Sequence, residues 1–177
     1  MKLHLGCGKR DFGEDWTHID KADFPHIKHH DVTSLPFEDD SCDIIYASHL
    51  LEYFDREEVI HVLKEWRRVL KVNGRVRIAV PNFEEMCKLY LSGAYKLERF
   101  LGPLYGKWGE DDPVYHKTTY DLESLSKVLV EAGFQDPHKY DWRSTSHSHV
   151  DDHSQAYLPH MDKEKGTLMS LNVECKK

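Results

Sequence analysis

The chain has 177 residues, of which 40% are hydrophobic and 31% charged, and its 13 histidines outnumber its 10 glycines. This length and composition suit one packed domain. No apolar run approaches the ~20 residues of a membrane span, and Gly6 comes too early for a signal-peptide core. The net charge of −7 would repel a phosphate polyanion, so a nucleic-acid partner is unlikely. We expect a cytoplasmic protein with no membrane partner.

The sequence contains several side chains of the types that bind metal ions. The four cysteines form no C-x-x-C pair, so a four-cysteine zinc site is not indicated. Without a secretion signal, we expect no disulfide framework either. The segment from His147 to His160 carries four histidines and two aspartates, which are ligand types for a divalent metal. On an extended segment, His147 and His149 would point to one side. No zinc signature fits, so we interpret the segment as a lid or surface loop and predict no metal site.

Strand and helix patterns alternate along the chain. The predicted strands are Lys2–Leu5, Trp16–Asp20, His26–Val32, Cys42–Ala47, Arg75–Val80, Lys139–Arg143 and Leu168–Cys175. The strongest helix prediction starts at Asp55 and Glu58, which resemble a capping box, and stops at Asn73-Gly74. Two further helices are predicted, over Glu84–Leu91 and from about Asp121 to Gly133. The alternation favours an α/β domain with a mostly parallel sheet.

Small or polar residues lie at or just after the carboxyl ends of the first four predicted strands. They are Gly6-Cys7-Gly8, Asp20, Asp31-Val32 and Ser48-His49. Ligands of parallel sheets bind at the carboxyl ends of the strands, and an acidic residue at such an end can accept hydrogen bonds from ribose hydroxyls. Glycines there let a ligand approach the backbone. Each signal is weak alone, and the series indicates a ligand site.

Longer motifs carry a family resemblance over roughly residues 2–82. The segment 3–8 (LHLGCG) resembles motif I of class I S-adenosylmethionine-dependent methyltransferases. The segment 30–45 resembles the D-x-x-x-L-P-F-x-D-x-S-F-D-x-I signature of the type 11 methyltransferase family, and 48–54 (SHLLEYF) resembles its S-H-x-L-E-H-F segment. The turn 68–74 and, more loosely, 131–134 (EAGF) also resemble this family.

The resemblance implies a three-layer, Rossmann-like sandwich whose seven-stranded, mostly parallel sheet ends on an antiparallel strand. It also implies S-adenosylmethionine as cofactor and S-adenosylhomocysteine as product. In that reading, the glycine turn passes under the methionine moiety, Asp20 holds the ribose, and Asp31 and Val32 contact the adenine. Ser48 and His49 line the methyl-donor end. The cofactor-binding set implied in this way is Gly6, Cys7, Gly8, Asp20, Lys21, Asp31, Val32, Ser48 and His49.

Several features depart from the family. The interval between Gly8 and Asp20 is too short for the usual helix, which must be lost or cut to about one turn of 3.6 residues. Arg10 stands near the place of the third glycine, and Tyr53 replaces the second histidine of the S-H-x-L-E-H-F segment. No helix precedes the first strand. We therefore expect a cleft that is either more open than in the family or closed by a partner chain, as in a homodimer.

We interpret residues 1–177 as a single methyltransferase domain with substrate-binding inserts at 82–121 and 144–166. The first insert is rich in tyrosine and tryptophan, which suits stacking on a sugar or an aromatic ring. His49 and His116 are the candidate catalytic bases, and Glu52 lies one helical turn from His49, where it could orient the ring. An unperturbed histidine base would change activity across about pH 6–7.

The predicted function is methyl transfer from S-adenosylmethionine, as O-methylation of a small-molecule or saccharide-type acceptor. Two alternatives stay open. One is a non-catalytic accessory protein that binds S-adenosylmethionine or a metal, which the trimmed first helix and the histidine-rich loop favour. The other is a nicotinamide-dependent oxidoreductase, which the short interval disfavours, because there the acid lies about 20 residues beyond the glycines.

Overall fold

A computed structural model describes residues 1–110 and 112–177 of the chain. Its strands are β1 (Lys2–Leu5), β2 (Trp16–Ile19), β3 (Ile27–His29), β4 (Cys42–Ser48), β5 (Leu70–Pro81), β6 (Gln135–Lys139), β7 (Tyr157–Leu158), β8 (Thr167–Leu168) and β9 (Ser170–Lys176). Its α-helices are α1 (Glu58–Val69), α2 (Phe83–Leu91), α3 (Leu101–Tyr105) and α4 (Leu122–Glu131).

The main sheet has seven strands in the order β3-β2-β1-β4-β5-β9-β6. Strands β1 to β5 pair in parallel, whereas β9 runs antiparallel to both β5 and β6. The predicted fold class, a mostly parallel Rossmann-like sheet with an antiparallel last strand, is confirmed. Strands β7 and β8 form a separate two-stranded pair.

One face of the sheet is apolar and carries the core. Alternate strand residues such as Leu3, Ile45 and Val76 point there, against buried side chains of α1 and α4. The start of α1 has the predicted reciprocal contacts, because the Asp55 carboxylate accepts from the Glu58 backbone N–H and the Glu58 carboxylate accepts from that of Asp55. Trp66 Nε1 donates to the Val32 carbonyl at 2.8 Å, which ties α1 to the segment after β3.

The other, more polar face also carries a small aromatic cluster and is covered by irregular chain. His4 and Tyr46 lie buried on it. Residues 9–15, all of them described, form turns with no helix, so the first helix of the family is lost as predicted. Phe12 from these turns stacks between His4 and His147, with ring centroids 3.9 and 4.3 Å apart. Tyr46 donates to Asp152 at 2.6 Å, which attaches the loop after β6 to the sheet.

Several predicted boundaries were wrong, among them that of the third strand, which ends at His29 and not at the predicted Val32. Helix α1 ends at Val69, ahead of Asn73-Gly74, because Leu70 is already buried in β5. Asn73 adopts a φ of 65° inside that strand, which is irregular between its contacts with Cys42 and Ile44 of β4. The sixth strand lies at 135–139, ahead of the predicted 139–143, and is mostly exposed. An edge strand with little burial has no apolar alternation to mark its position.

The expected side-by-side arrangement of His147 and His149 was also wrong. Residues 146–149 form a turn, in which His147 is buried against Phe12 and His149 is exposed. Within residues 1–110 and 112–177, no group of three or more His, Cys, Asp or Glu side chains is arranged to hold a metal ion. Within the same residues, no helix has the length and apolar character needed to cross a membrane.

Candidate active site

The turn after β1 is joined to the end of β2 by its backbone. The Gly6 N–H donates to the Ile19 carbonyl and the Gly8 N–H donates to Asp20 Oδ2, both at 2.8 Å. Gly6 and Gly8 have φ values of 64° and 54°, a region in which side chains with a Cβ are strained. The Asp20 carboxylate is buried and accepts a second bond from the Ala22 N–H at 2.8 Å. The predicted ribose acid is thus held rigidly beside the glycine turn.

The other predicted residues of this region differ in exposure. Cys7 is buried, and burial raises the pKa of its thiol to about 12, so it is a neutral lining group. Lys21 is exposed. Asp31 is exposed as well, and its Oδ1 accepts from the backbone N–H and the hydroxyl of Thr33 at 2.8 and 2.6 Å. Val32 is buried, with its carbonyl bonded to α1. Asp31 and Lys21 are therefore open to solvent, on the side where the adenosine end of the cofactor is predicted.

Ser48 ends β4 and His49 follows it, next to the glycine turn, because Ala47 pairs with Leu5 of β1. Ser48 is buried, and its hydroxyl meets no hydrogen-bond partner among the residues that the structure describes. His49 has a φ of 53° and is held by its N–H, which donates to the Ala79 carbonyl at 2.8 Å. This strained backbone aims the imidazole across the carboxyl edge of the sheet.

The His49 ring has polar neighbours on both nitrogens. Nδ1 lies 3.3 Å from Glu52 Oε1, and Nε2 lies 3.3 Å from the Ser170 hydroxyl of β9. The His153 ring lies on the third side, 5.2 Å away between centroids. Burial, with His153 and His116 nearby, lowers the pKa of His49 well below its usual value. The imidazole is therefore neutral at pH 7 and can accept a proton.

Glu52 joins the two predicted catalytic histidines. Its Oε1 lies 3.8 Å from Nε2 of His116, whose Nδ1 contacts the Pro103 carbonyl at 3.0 Å. A carbonyl can only accept, so Nδ1 of His116 carries the proton and Nε2 faces Glu52 as an acceptor. Burial raises the pKa of Glu52 to about 8 and lowers that of His116. A protonated Glu52 is the form that suits this arrangement.

The structure brings together some predicted residues and separates others. It joins Gly6, Gly8 and Asp20 at one strand edge and groups His49 with His116 through Glu52. It separates the loop histidines, since His147 belongs to the stack on the polar face of the sheet. Ser170 neighbours His49 in the structure, and this contact was not predicted from the sequence. Only its polar place in the alternation of the last strand hinted at such a role.

Comparisons with known proteins find similar methyltransferases. A family model described as a methyltransferase domain matches residues 9–78. A demethylmenaquinone methyltransferase of Staphylococcus haemolyticus is 28% identical over an alignment 138 residues long, which covers 70% of this chain and 56% of that protein. The chain thus spans little more than half the length of this curated relative.

Two solved structures share the fold. A SAM-dependent methyltransferase from Archaeoglobus fulgidus superposes with a TM-score of 0.58 at 17% identity, over 99% of this chain and 85% of the other. The 1,6-didemethyltoxoflavin-N1-methyltransferase of Burkholderia thailandensis, solved with its substrate and S-adenosylhomocysteine, gives 0.55 at 13% identity, over 99% and 70%. The motifs, the sheet order and the family model agree: residues 9–78 match a methyltransferase domain, and the chain has the fold of SAM-dependent methyltransferases.

Proposed function

We propose that this chain transfers a methyl group from S-adenosylmethionine to a hydroxyl of a small, ring-bearing acceptor. The observation that carries the proposal is the hydrogen bond from the Gly8 N–H to the Asp20 carboxylate, one strand away from His49. Three groups thus lie at one edge of the sheet: a glycine turn, a carboxylate that can accept hydrogen bonds from ribose hydroxyls, and a neutral imidazole. An enzyme of this kind needs these three groups for binding the donor and for proton removal.

The residues present suit the cofactor chemically. S-adenosylmethionine carries a sulfonium cation and ribose hydroxyls, so its site requires acceptors and open backbone. Asp20 retains lone pairs beyond its two backbone bonds. A Cβ built on Gly8 would meet none of the described atoms within 4 Å, which leaves room above the turn. Gly6, Cys7 and Gly8 would underlie the methionine, Asp20 the ribose, and Lys21, Asp31 and Val32 the adenosine rim.

His49 is the proposed base. When bound, the cofactor supplies an electrophilic methyl group and leaves as S-adenosylhomocysteine. His49 would accept the proton of the acceptor's hydroxyl group while the oxygen of that hydroxyl bonds to the methyl carbon. The protonated Glu52, behind Nδ1, would hold the ring in place through Oε1. His116 contacts the same carboxyl group and serves as the second candidate base.

A saccharide-type acceptor remains part of this proposal, supported by the aromatic side chains of 82–121, which we propose as an acceptor-binding insert together with 144–166. Tyr90, Tyr105, Trp108 and Tyr115 of that insert are exposed. Exposed aromatic rings suit stacking on sugar or aromatic rings.

A second candidate acceptor is a quinol with an apolar tail. The curated relative is named for demethylmenaquinone, and the same insert exposes Leu91, Leu97 and Leu101. Screening phenols, sugars and a short-chain demethylmenaquinol for methyl acceptance would choose between the candidates.

Calorimetric titration with S-adenosylhomocysteine tests the cofactor assignment. We expect binding in the micromolar range, no binding of NAD, and at least about tenfold weaker binding by Asp20→Asn, because the ribose hydroxyls lose a charged acceptor. Asp23→Asn, an exposed neighbour, is the matched control. If S-adenosylhomocysteine does not bind, the proposal is wrong; if Asp20→Asn binds normally, the ribose assignment is wrong.

The exposure of Asp31 and Lys21 supports a further part of the proposal, in which a second copy of the chain closes the cleft. Light scattering with and without S-adenosylhomocysteine measures this directly. A monomer under both conditions, at concentrations where the cofactor saturates, would contradict it. The cytoplasmic location predicted from the sequence belongs to the same proposal.

A further inference from the structure

A cleft of about 410 Å³ opens beside the candidate site. His153 lies on its wall, and the His153 ring is the one that neighbours His49. Leu158, Met161 and Met169 give another part of the wall an apolar character. The cleft therefore reaches from the proposed base to a surface formed by the two inserts, which is where a methyl acceptor would enter.

Two acidic residues line the cleft, and both are already engaged. Asp152 is buried, with Oδ2 accepting from the Tyr46 hydroxyl at 2.6 Å and Oδ1 from the Ser154 N–H at 2.8 Å. Asp151 pairs with Lys163 Nζ at 2.8 Å. Asp152 is thus bound to neutral donors of the sheet and of its own loop, and Asp151 is bound to a lysine of that loop. Neither carboxylate is paired with an arginine of the cleft.

Two arginines, Arg10 and Arg99, line the same cleft. Arg10 donates from Nε to the Asp151 carbonyl at 3.1 Å, which holds the side chain in place and leaves its terminal nitrogens available. Within residues 1–110 and 112–177, neither guanidinium lies in an ion pair with a carboxylate. In a chain of net charge −7, two uncompensated arginines in one cleft form a local site of opposite sign.

We propose that Arg10 and Arg99 bind an anionic group, a carboxylate or phosphate, on the methyl acceptor. The planar guanidinium matches such oxyanions by paired hydrogen bonds. The apolar wall would contact the body of the acceptor while the arginines hold its charged end, so that its hydroxyl is directed towards His49. The methyl acceptor would therefore be an anionic molecule. This inference rests on the proposed function, because only a methyltransferase would bind the anion as a methyl acceptor.

A carboxylate could also come from the methionine end of the cofactor, because Arg10 follows the glycine turn directly. The acceptor's anionic group and the cofactor's carboxylate would bind an arginine in the same way. They differ in whether S-adenosylhomocysteine competes with a second anion for that arginine. An acceptor site would bind its anion with the cofactor product already in place. A cofactor contact would be occupied by S-adenosylhomocysteine, which would then exclude a second anion from Arg10.

Inorganic phosphate is the probe, added at constant ionic strength both to the free protein and to protein saturated with S-adenosylhomocysteine. The Arg Nε–H signals of Arg10 and Arg99 are followed by NMR. We expect both to shift with one millimolar-range dissociation constant, and Arg99→Gln and Arg10→Gln each to weaken it about tenfold. Arg56→Gln, an exposed arginine on the turn before α1, is the matched control and should bind phosphate normally.

The outcomes separate cleanly. If S-adenosylhomocysteine binds but phosphate leaves both signals unmoved, the inference is wrong and the proposed function stands. If S-adenosylhomocysteine abolishes phosphate binding and Arg10→Gln weakens S-adenosylhomocysteine, the arginine belongs to the cofactor and the acceptor assignment is wrong. If Arg10→Gln unfolds, the exposed Arg99→Gln decides alone. Failure of S-adenosylhomocysteine to bind at all contradicts the proposed function instead.

Discussion

Glu52 Oε1 lies 3.3 Å from Nδ1 of His49, and the Glu52 carboxyl group is buried at the end of the sheet that the family motifs mark. Across the described part of the chain, neither of its oxygens meets a hydrogen-bond partner of good geometry. A carboxyl group in that position is costly to ionise, yet it is the nearest acidic group to the proposed base. The pair therefore has consequences for both stability and catalysis.

The stability consequence is tested with Glu52→Gln. Because burial raises the pKa of Glu52 from 4.5 to about 8, ionising it opposes folding, so its contribution is most favourable below about pH 4.5 and is lost as pH rises through about 8. Relative to wild type, we expect Glu52→Gln to gain about 2 kcal/mol or more in free energy of unfolding between pH 5 and pH 9. Urea denaturation measures this. Exposed Glu57→Gln is the control, and equal changes at both pH values would refute the assignment.

The catalytic consequence is tested with His49→Asn, since asparagine tolerates the positive φ of this position. We expect kcat for the acceptor found by screening to fall about 100-fold or more, with a smaller change in S-adenosylhomocysteine affinity. Burial lowers the pKa of His49, so the base stays neutral across about pH 6–7. The wild-type rate should therefore decline only at a pH below the range expected for an unperturbed histidine. Exposed His61→Asn should behave as wild type. Unchanged kcat in His49→Asn would remove it as the base.

Gly8→Ala and Gly13→Ala form a matched pair for the cofactor turn. Both glycines have positive φ, 54° and 89°, and a Cβ on either meets none of the described atoms within 4 Å. Each substitution should cost about 1 kcal/mol of stability from backbone strain. Only Gly8→Ala should also lose S-adenosylhomocysteine binding, because its Cβ would enter the proposed ligand space. Thermal unfolding and calorimetry separate the two effects, and equal binding by both variants would contradict the assignment.

The stack of His4, Phe12 and His147 predicts sensitivity to acid. Burial lowers the pKa of His147 from 6.5 to about 4, so the stability it contributes is present above about pH 6.5 and is lost as pH falls towards 4. His147→Phe keeps the stacking and removes the titration. We expect its acid loss between pH 7 and pH 5 to be smaller than that of wild type by about 2 kcal/mol. The control is the exposed His149→Phe, and an unchanged pH dependence in His147→Phe would count against the burial argument.

Sequence patterns predicted the elements that have strong local signals. Strand β1 occupies the predicted Lys2–Leu5, and α1 begins where Asp55 and Glu58 form their reciprocal contacts. Strand β6 was misplaced because an exposed edge strand containing Pro137 shows neither alternation nor an apolar run. The end of α1 was misplaced because burial of Leu70 in the sheet overrode the turn signal of Asn73-Gly74.

The sequence by itself determined the family resemblance, the order of the elements and the strand ends at which polar residues lie, because these follow from short-range periodicity and from motifs a few residues long. Only the tertiary structure decided which of the histidines serve which purpose. His49 and His116 meet at Glu52, whereas His4 and His147 stack on Phe12. These contacts join residues far apart in the chain, and burial, which sets each pKa, arises only when the sheet and its covering loops assemble.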